Sequence, residues 1–528
     1  MPDPAPSSAS VFSRYRAGVL FLGVTLFILL IQSLTGVWTS DIGADPDEPA
    51  HAVTSLMVRD YLATGLGQSP LTFAQQYYED FPKVALGHYP PGYYALTGLV
   101  LLPWPQPQIL LVLQALFTGL LALQVYLMGR RMLRDSSALA AALLSAAFPV
   151  TLKLAQLVMA DLMLACLCLL AVELWVRFLE KPGYRLALSF GVAAAAAILT
   201  KGSGLALALV PAVTVLALRR WDLLKKPAFW VAGLPVGLLA GPWMLYSSKI
   251  TKEGMVSAGL VDFALGAVTY YSSVLSTAFG FVTVMIAVAG LALWLGLTKF
   301  KLRPDPRRTA LLGLLVGTAL IMLFIPTGYS SRYFMPVVPV VALLAVSFFD
   351  LTLARMPLGR FGILSLVLLV IFQVPHLLVK NVRGYRSAVV QALEKPAAGE
   401  RTHWLVCADP RGEGAVIASA AFALPVRAPS PLQVHRASKE LAAADWLGRG
   451  YQAAFDTPEA LLAYLDKTAI SRVFVQLSAE GETAPAHEEL LLKALRNQPE
   501  RWALEHSGPI TRPYQAAPGP LEVYARKL

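Results

Sequence analysis

Acidic residues and a histidine lie close together in one short stretch of the sequence. The segment 41–51, Asp-Ile-Gly-Ala-Asp-Pro-Asp-Glu-Pro-Ala-His, holds four carboxylates and a histidine, although only 15% of the chain is charged. Carboxylates and histidines are the side chains that most often move protons in catalysis. The alternative interpretation is a solvated acidic loop without chemistry. Asp45, Asp47, Glu48 and His51 are therefore candidate site residues, and their meaning depends on where the chain places them.

The composition predicts a membrane protein. Of the 528 residues, 56% are hydrophobic and 15% are charged, whereas roughly a quarter of the residues in soluble domains are charged. The net charge of +11 does not indicate nucleic-acid binding, because basic residues of such proteins collect in cytoplasmic loops and meet membrane lipid there. The three cysteines, Cys166, Cys168 and Cys407, do not suggest a disulfide framework.

Long apolar segments alternate with polar loops up to about residue 380. A helix needs about 20 mostly apolar residues to cross a membrane. The segment 91–102 is shorter and is bracketed by prolines, so we predict that it lies flat at the interface. About eleven spanning helices are predicted. They lie at 18–35, 108–128, 136–152, 157–178, 185–200, 202–218, 228–247, 272–297, 309–325, 333–352 and 361–379.

The distribution of charge predicts the orientation of these spans. The loop 36–90 contains seven acidic and only two basic residues, which favours the extracytoplasmic side. With 91–102 lying flat, every basic cluster falls in the cytoplasm, together with the N-terminus. These clusters are Arg130, Arg131 and Arg134; Arg177, Lys181 and Arg185; Arg219, Arg220, Lys225 and Lys226; 299–308; and Arg355 and Arg360.

The sequence changes character after residue 380. The segments 403–408 and 472–477 are typical of buried strands, and 458–465 and 487–496 are typical of amphipathic helices. We predict two domains: a transmembrane domain over 1–380, with the first extracytoplasmic loop and its interfacial helices at 36–107, and an extracytoplasmic α/β domain over 381–528. The second domain has no chemical motif of its own and is expected to be structural or to bind an acceptor.

Four more polar residues fall on the same side of the membrane as the acidic segment. His88 closes the loop, Asp161 lies near the outer end of the fourth span, Lys201 lies at an outer turn, and Arg332 precedes the tenth span. Ionisable residues at membrane depth are costly and usually face a cavity with partners. Acids and cations at one boundary could bind an anionic headgroup and abstract a proton.

Each of these residues also has a structural alternative. Asp161 could pair with Lys201 only to hold helices together, and Lys201 could extend its charged end to the interface. Arg332 could anchor to phospholipid phosphate, and His88 could cap a helix. Independent anchors would have no reason to share one face, so the combination favours a site.

Several short motifs together resemble the GT-C membrane glycosyltransferases that use polyprenyl-phosphate sugars. This group includes the protein O-mannosyltransferase-like family and the lipid A aminoarabinose transferases. The resemblance covers about residues 12–350 and rests on the order and spacing of the motifs. They are Asp47-Glu-Pro-Ala-His51, His88-Tyr-Pro-Pro-Gly-Tyr-Tyr94, Met128-Gly-Arg-Arg-Met132, Ala160-Asp161, Leu199-Thr-Lys-Gly202, Gly241-Pro-Trp-Met-Leu-Tyr246 and Ser331-Arg-Tyr-Phe-Met-Pro336.

The resemblance implies the fold and the activity. The fold would be a polytopic α-helical membrane protein of GT-C type with a small C-terminal α/β domain, in the inner membrane of the cell. The activity would be inverting transfer of a sugar from a polyprenyl-phosphate donor to a hydroxyl of a glycan, lipid or protein acceptor, on the extracytoplasmic face.

The resemblance also implies roles for individual residues. Asp47 would be the general base, and Glu48 and Asp161 are the other catalytic candidates. The donor phosphate would be held by Lys201, Arg332 and Tyr333, and Asp45, His51 and His88 would complete the site. Aminoarabinose transferases carry Glu-Lys where this chain has His88-Tyr89. This departure argues against aminoarabinose transfer and leaves open a divalent metal cofactor, for which His88 is the candidate ligand.

The alternative function is a transporter or flippase for a charged lipid or a small solute. The number of spans and the charges at membrane depth would fit such a protein. However, the sequence has no inverted repeat and no pair of broken helices at corresponding positions in two halves. The long acidic first loop also has no obvious place in alternating access.

Overall fold

The computed structural model of the chain describes residues 8–85, 87–253, 255, 259–297, 305–352, 363–364, 367–368, 380–395, 401–425, 430–444, 449–479, 481–515 and 517–527. Within these ranges, the chain is helical up to residue 352 and mixes helices with strands from residue 385 onward.

Six helices of the described chain are long and apolar enough to cross a membrane, and one bent pair of helices raises the number to seven if it counts as one span. Shorter apolar helices pack among them. The six are Tyr15–Leu34, Gln108–Gly129, Asp161–Glu180, Pro227–Lys252, Pro306–Phe324 and Ser331–Thr352, and the shorter ones are Gly92–Leu101, Asp135–Ala147, Tyr184–Thr200 and Gly202–Leu218.

The predicted spans up to 333–352 all fall on apolar helices, but those at 136–152, 185–200 and 202–218 fall on shorter helices that do not have the length of a full span. The short helix expected at 91–102 is present as Gly92–Leu101. The predicted span 361–379 lies almost entirely outside the described residues.

One predicted span is a sharply bent pair of helices. The segment 272–297 was expected to be a single helix, but two helices, Leu260–Phe279 and Phe281–Trp294, meet there at an angle of 107°. Gly280 joins them with φ +82°, a backbone conformation that side chains with a Cβ rarely adopt. Apolarity alone could not reveal this bend.

The acidic segment leads into a helix that begins at Asp47 and ends at Asp60, which we call the loop helix. Asp47 and Glu48 lie in its first turn, where the partial positive charge of the helix N-terminus favours carboxylates. A further turn, Tyr61–Gly65, and a second helix, Pro70–Asp80, complete the loop.

The C-terminal region is an α/β domain, as predicted. The strands are β1 Thr402–Cys407, β2 Leu432–Arg436, β3 Ala442–Ala443, β4 Gln452–Ala453, β5 Ile470–Gln476, β6 Trp502–Gly508 and β7 Leu521–Arg526. The main sheet has the strand order β2-β1-β5-β7-β6, in which β1 runs parallel to β2 and β5, and β7 runs antiparallel to β5 and β6. The helices are Tyr385–Glu394, Pro410–Ala423, Ala437–Glu440, Pro458–Lys467 and Ala486–Arg496.

The loop and the C-terminal domain share one hydrophobic core, which includes Leu56 and Phe73 of the loop and Trp404 and Ile417 of the domain. Helix Pro410–Ala423 packs directly on the loop helix. A Cβ added at Gly414 would lie 2.8 Å from Pro49, so this close approach requires glycine. The loop and the domain therefore lie on the same side of the membrane.

The side on which they lie can be tested by labelling. We expect cysteines placed at the exposed positions Gln75 and Lys467 to react with an impermeant maleimide from outside intact cells, because the basic clusters then remain in the cytoplasm. A cysteine at the exposed Lys225 is the matched control and should react only after lysis. The three native cysteines are buried and should give little background. Labelling of 75 and 467 from opposite sides would contradict this topology.

Candidate active site

Asp47 and Arg332 form an ion pair at the start of the loop helix. One Asp47 carboxylate oxygen, Oδ2, accepts hydrogen bonds from the Arg332 guanidinium and, at 2.9 Å, from the Tyr89 hydroxyl. Asp45 Oδ1 accepts a hydrogen bond from the Asp47 backbone N–H at 3.0 Å and lies 3.6 Å from Arg332 Nη1. Asp45 therefore helps to fix the backbone of Asp47 and contributes to the negative charge around Arg332.

Asp161 and Lys201 form a second ion pair. Lys201 Nζ lies 2.5 Å from Asp161 Oδ1, and the two residues are only 6% and 1% exposed. The other oxygen, Asp161 Oδ2, is buried and has no hydrogen-bond partner among the described residues. A buried carboxylate oxygen without a donor costs free energy, and a functional role is one explanation for such an atom.

Two tyrosines join the ion pairs into one site. The Lys201 ammonium lies 4.9 Å from the centre of the Tyr333 ring and 6.0 Å from that of Tyr89. Arg332 lies 5.8 Å from the centre of the same Tyr333 ring, and its Nη2 is 3.4 Å from the Tyr89 hydroxyl. The structure thus brings together Asp45, Asp47, Asp161, Lys201, Arg332 and Tyr333, which the sequence had proposed as site residues.

The environment determines which groups of the loop helix carry charge. Burial is the largest single influence on Asp47 and acts to raise its pKa, but the Arg332 guanidinium and the neighbouring hydrogen-bond donors together outweigh burial and hold that pKa well below its usual range. Burial lowers the pKa of His51 to about 4. At neutral pH, Asp47 is therefore a carboxylate and His51 is neutral.

His51 lies behind the site, among tyrosines. Its Nδ1 is 2.8 Å from the Tyr94 hydroxyl, and its ring packs 4.6 Å from the Tyr89 ring, centre to centre. The residue is 1% exposed. These contacts suit a residue that supports Tyr89, and a direct part of His51 in the site remains a prediction.

Glu48 is completely buried and faces away from Arg332, toward backbone and a lysine. Its carboxylate accepts hydrogen bonds from the backbone N–H groups of Gly43, Ala44 and Val158 at 3.0, 3.1 and 3.2 Å, and it pairs with Lys380. These four donors hold the acidic segment in place. A catalytic role of Glu48 stays a prediction, and its surroundings favour a positioning role.

His88 is half-buried at the end of the loop, and its backbone N–H donates to the Ala85 carbonyl at 3.2 Å. In the described part of the chain, no group of three or more His, Cys, Asp or Glu side chains is placed to hold a metal ion. The role of His88 as a metal ligand stays a prediction.

Two residues that support the site were not among those predicted from the sequence. Tyr89 touches both Asp47 and Arg332, and its only signal was its position beside His88 and the Pro-Pro pair. Lys380 neutralises Glu48 across 332 residues of sequence, and its only signal was a single cation directly after the last apolar segment.

Residues 90–246 match the family model described as Dolichyl-phosphate-mannose-protein mannosyltransferase. No curated protein sequence matches the chain. Among solved structures, ArnT from Cupriavidus metallidurans bound to undecaprenyl phosphate is similar, with a TM-score of 0.59 and 14% identity over 96% of this chain and 97% of ArnT.

Two other solved structures are also similar. AglB from Archaeoglobus fulgidus, in complex with an inhibitory peptide and a dolichol-phosphate, has a TM-score of 0.53 and 13% identity over 88% of this chain and 70% of AglB. The arabinofuranosyltransferase AftD from Mycobacteria has a TM-score of 0.51 and 16% identity over 98% of this chain and 40% of AftD. At these identities the likeness establishes the fold, which is the GT-C fold.

Proposed function

We propose that this GT-C-fold membrane protein is a glycosyltransferase that moves a sugar from a polyprenyl-phosphate donor to an acceptor hydroxyl. The observation that carries the proposal is the convergence of two cations, Lys201 and Arg332, with the carboxylates Asp47 and Asp161 at one site. The bound undecaprenyl phosphate and dolichol-phosphate of the ArnT and AglB structures support a lipid phosphate as the donor headgroup.

The cations account for the leaving group. As the bond between the anomeric carbon and the phosphate oxygen breaks, its electron pair stays on the phosphate. Lys201 and Arg332 would stabilise that charge with charge-assisted hydrogen bonds. Tyr333, whose ring contacts both cations, keeps them side by side. The donor arrives already activated, so no nucleotide-binding domain is needed.

Asp47 accounts for the nucleophile. The acceptor oxygen attacks the anomeric carbon from the face opposite the phosphate, and its proton passes to the Asp47 carboxylate. The product has inverted configuration at the anomeric carbon. Tyr89, which donates a hydrogen bond to Asp47, would keep the carboxylate oriented toward the acceptor hydroxyl during this step. The acceptor hydroxyl belongs to a glycan, a lipid or a protein.

The phosphate contacts can be tested by binding. We expect Lys201→Ala and Arg332→Ala each to weaken donor binding by about 1.5–3 kcal/mol, since each removes a hydrogen bond to a charged group. Acceptor binding should change less. The measurement is titration of purified protein in nanodiscs with a polyprenyl-phosphate sugar. Arg131→Ala is the control, because Arg131 pairs with Glu173 away from the site. Unchanged donor affinity in both site variants would indicate that Lys201 and Arg332 do not bind the donor and serve only as lipid anchors.

The activity itself is tested by turnover. Purified protein that is given a polyprenyl-phosphate sugar and candidate acceptors should release polyprenyl phosphate in proportion to glycosylated product. Mass spectrometry of envelope glycans and lipids from cells with and without the protein would identify the acceptor. Movement of an intact lipid across the bilayer, with no sugar transferred, would instead support the flippase alternative.

A further inference from the structure

The cations of the site already have partners when no donor is bound. Arg332 pairs with Asp47 and lies near Asp45, while Lys201 pairs with Asp161. A lipid phosphate therefore enters a site in which each cation is engaged by a carboxylate. Either the phosphate joins an already acidic cluster, or it takes the place of a carboxylate.

The two ion pairs differ in how easily they can open. The Lys201 and Asp161 side chains are almost inaccessible to solvent, at 7% and 1% exposed. The Asp47 side chain is 26% exposed and that of Arg332 is 14% exposed, so this pair is the more accessible one. The Nε of Arg332 is also buried without a hydrogen-bond partner among the described residues, so its N–H could donate one more hydrogen bond.

Resting on the proposed function, we infer that the lipid phosphate and Asp47 compete for the Arg332 guanidinium, so that donor binding releases Asp47 to act as the base. In the donor-free protein, Asp47 occupies part of the phosphate subsite. When the phosphate takes the guanidinium, Asp47 keeps its hydrogen bond from Tyr89 at 2.9 Å and its place in the first turn of the loop helix. It therefore stays in position while it loses its cation.

This exchange changes the chemistry of Asp47. Arg332 is the main group that keeps the pKa of Asp47 low against the effect of burial. A carboxylate held in that way is a weak proton acceptor. Once Arg332 turns to the phosphate, burial raises the basicity of Asp47. The base thus becomes effective when the donor is in place, which implies that the donor acts on the site before the acceptor is deprotonated.

The competition predicts an unusual result for the base variant. Asp47→Asn removes the competing charge, so it should bind undecaprenyl phosphate, which carries the headgroup without a sugar, roughly tenfold more tightly than wild type. In an Arg332→Met background the same substitution should give no tightening, because the shared guanidinium is gone. Asp222→Asn, which alters an exposed ion pair with Arg220, is the matched control and should not change affinity.

The measurement is equilibrium binding of undecaprenyl phosphate to the full-length protein in nanodiscs, with thermal unfolding to verify that each variant is folded. If Asp47→Asn proves unstable, Asp47→Ser makes the same comparison. Tightening that depends on Arg332 supports the competition. A folded variant with unchanged or weaker affinity overturns the competition and leaves the proposed function intact. A wild-type protein that does not bind undecaprenyl phosphate overturns the proposed function instead.

Discussion

Asp47→Asn is expected to lower kcat by about 10²–10⁴-fold, the range typical of general-base catalysis, while the protein still folds and inserts. Asparagine keeps the size of the side chain and can still accept a hydrogen bond from the Tyr89 hydroxyl, which lies 2.9 Å from Asp47 Oδ2. It cannot take the acceptor's proton. The measurement is turnover at saturating polyprenyl-phosphate sugar, which separates the chemical step from donor affinity.

Asp45→Asn is the natural comparison for this variant. Asp45 lies two residues away and shares Arg332, but its part is to accept the Asp47 backbone N–H. An asparagine at this position can still accept that hydrogen bond, so we expect a much smaller loss of turnover. Near-normal turnover of Asp47→Asn, or an equal loss in the two variants, would mean that the base has been assigned to the wrong residue.

Lys380→Met is expected to destabilise the protein by about 3–5 kcal/mol, because it leaves a buried carboxylate without its cation. Glu48 is 0% exposed, and Lys380 itself is 4% exposed, so neither group can turn to water without opening the core. The three backbone N–H donors to Glu48 would remain and would offset only part of the loss. The measurement is the denaturant or thermal midpoint of the purified protein in detergent.

Two further variants make this result specific. Glu48→Gln/Lys380→Met removes both charges and should recover part of the lost stability. Lys395→Met breaks a lysine–glutamate pair with Glu505 in which the lysine side chain is 47% exposed, and it should change stability little. A Lys380→Met midpoint equal to that of wild type would contradict the buried pairing of Glu48.

The sequence was most informative where composition is unusual. Charged residues are rare at membrane depth, so Asp161, Lys201 and Arg332 could be identified singly, and the distribution of basic residues then placed them on one side. The long apolar segments located the helices, but they could not reveal the bend at Gly280, where the backbone takes a positive φ.

The pairing of these residues was harder to predict. Arg332 reaches Asp47 across 285 residues, and Lys380 reaches Glu48 across 332. Contacts of this kind leave no periodic trace in a single sequence. The sequence singled out Asp47 as the base but could not show its partner: in the fold Asp47 faces Arg332, while Glu48 is enclosed by backbone donors and Lys380. Two neighbouring carboxylates acquire different surroundings because adjacent positions of a helix point in different directions.

The core shared by the loop and the C-terminal domain has a consequence for biogenesis. Asp41 Oδ2 accepts a hydrogen bond from the backbone N–H of Tyr385 across 344 residues, so the ribosome must make most of the chain before the loop meets its partner. At about 5–20 residues per second, that interval is roughly 20–70 s. During this interval the membrane helices can insert while the apolar face of the loop remains uncovered. A nascent chain that stops before Lys380 would lack the lysine that pairs with Glu48 beside the proposed active site.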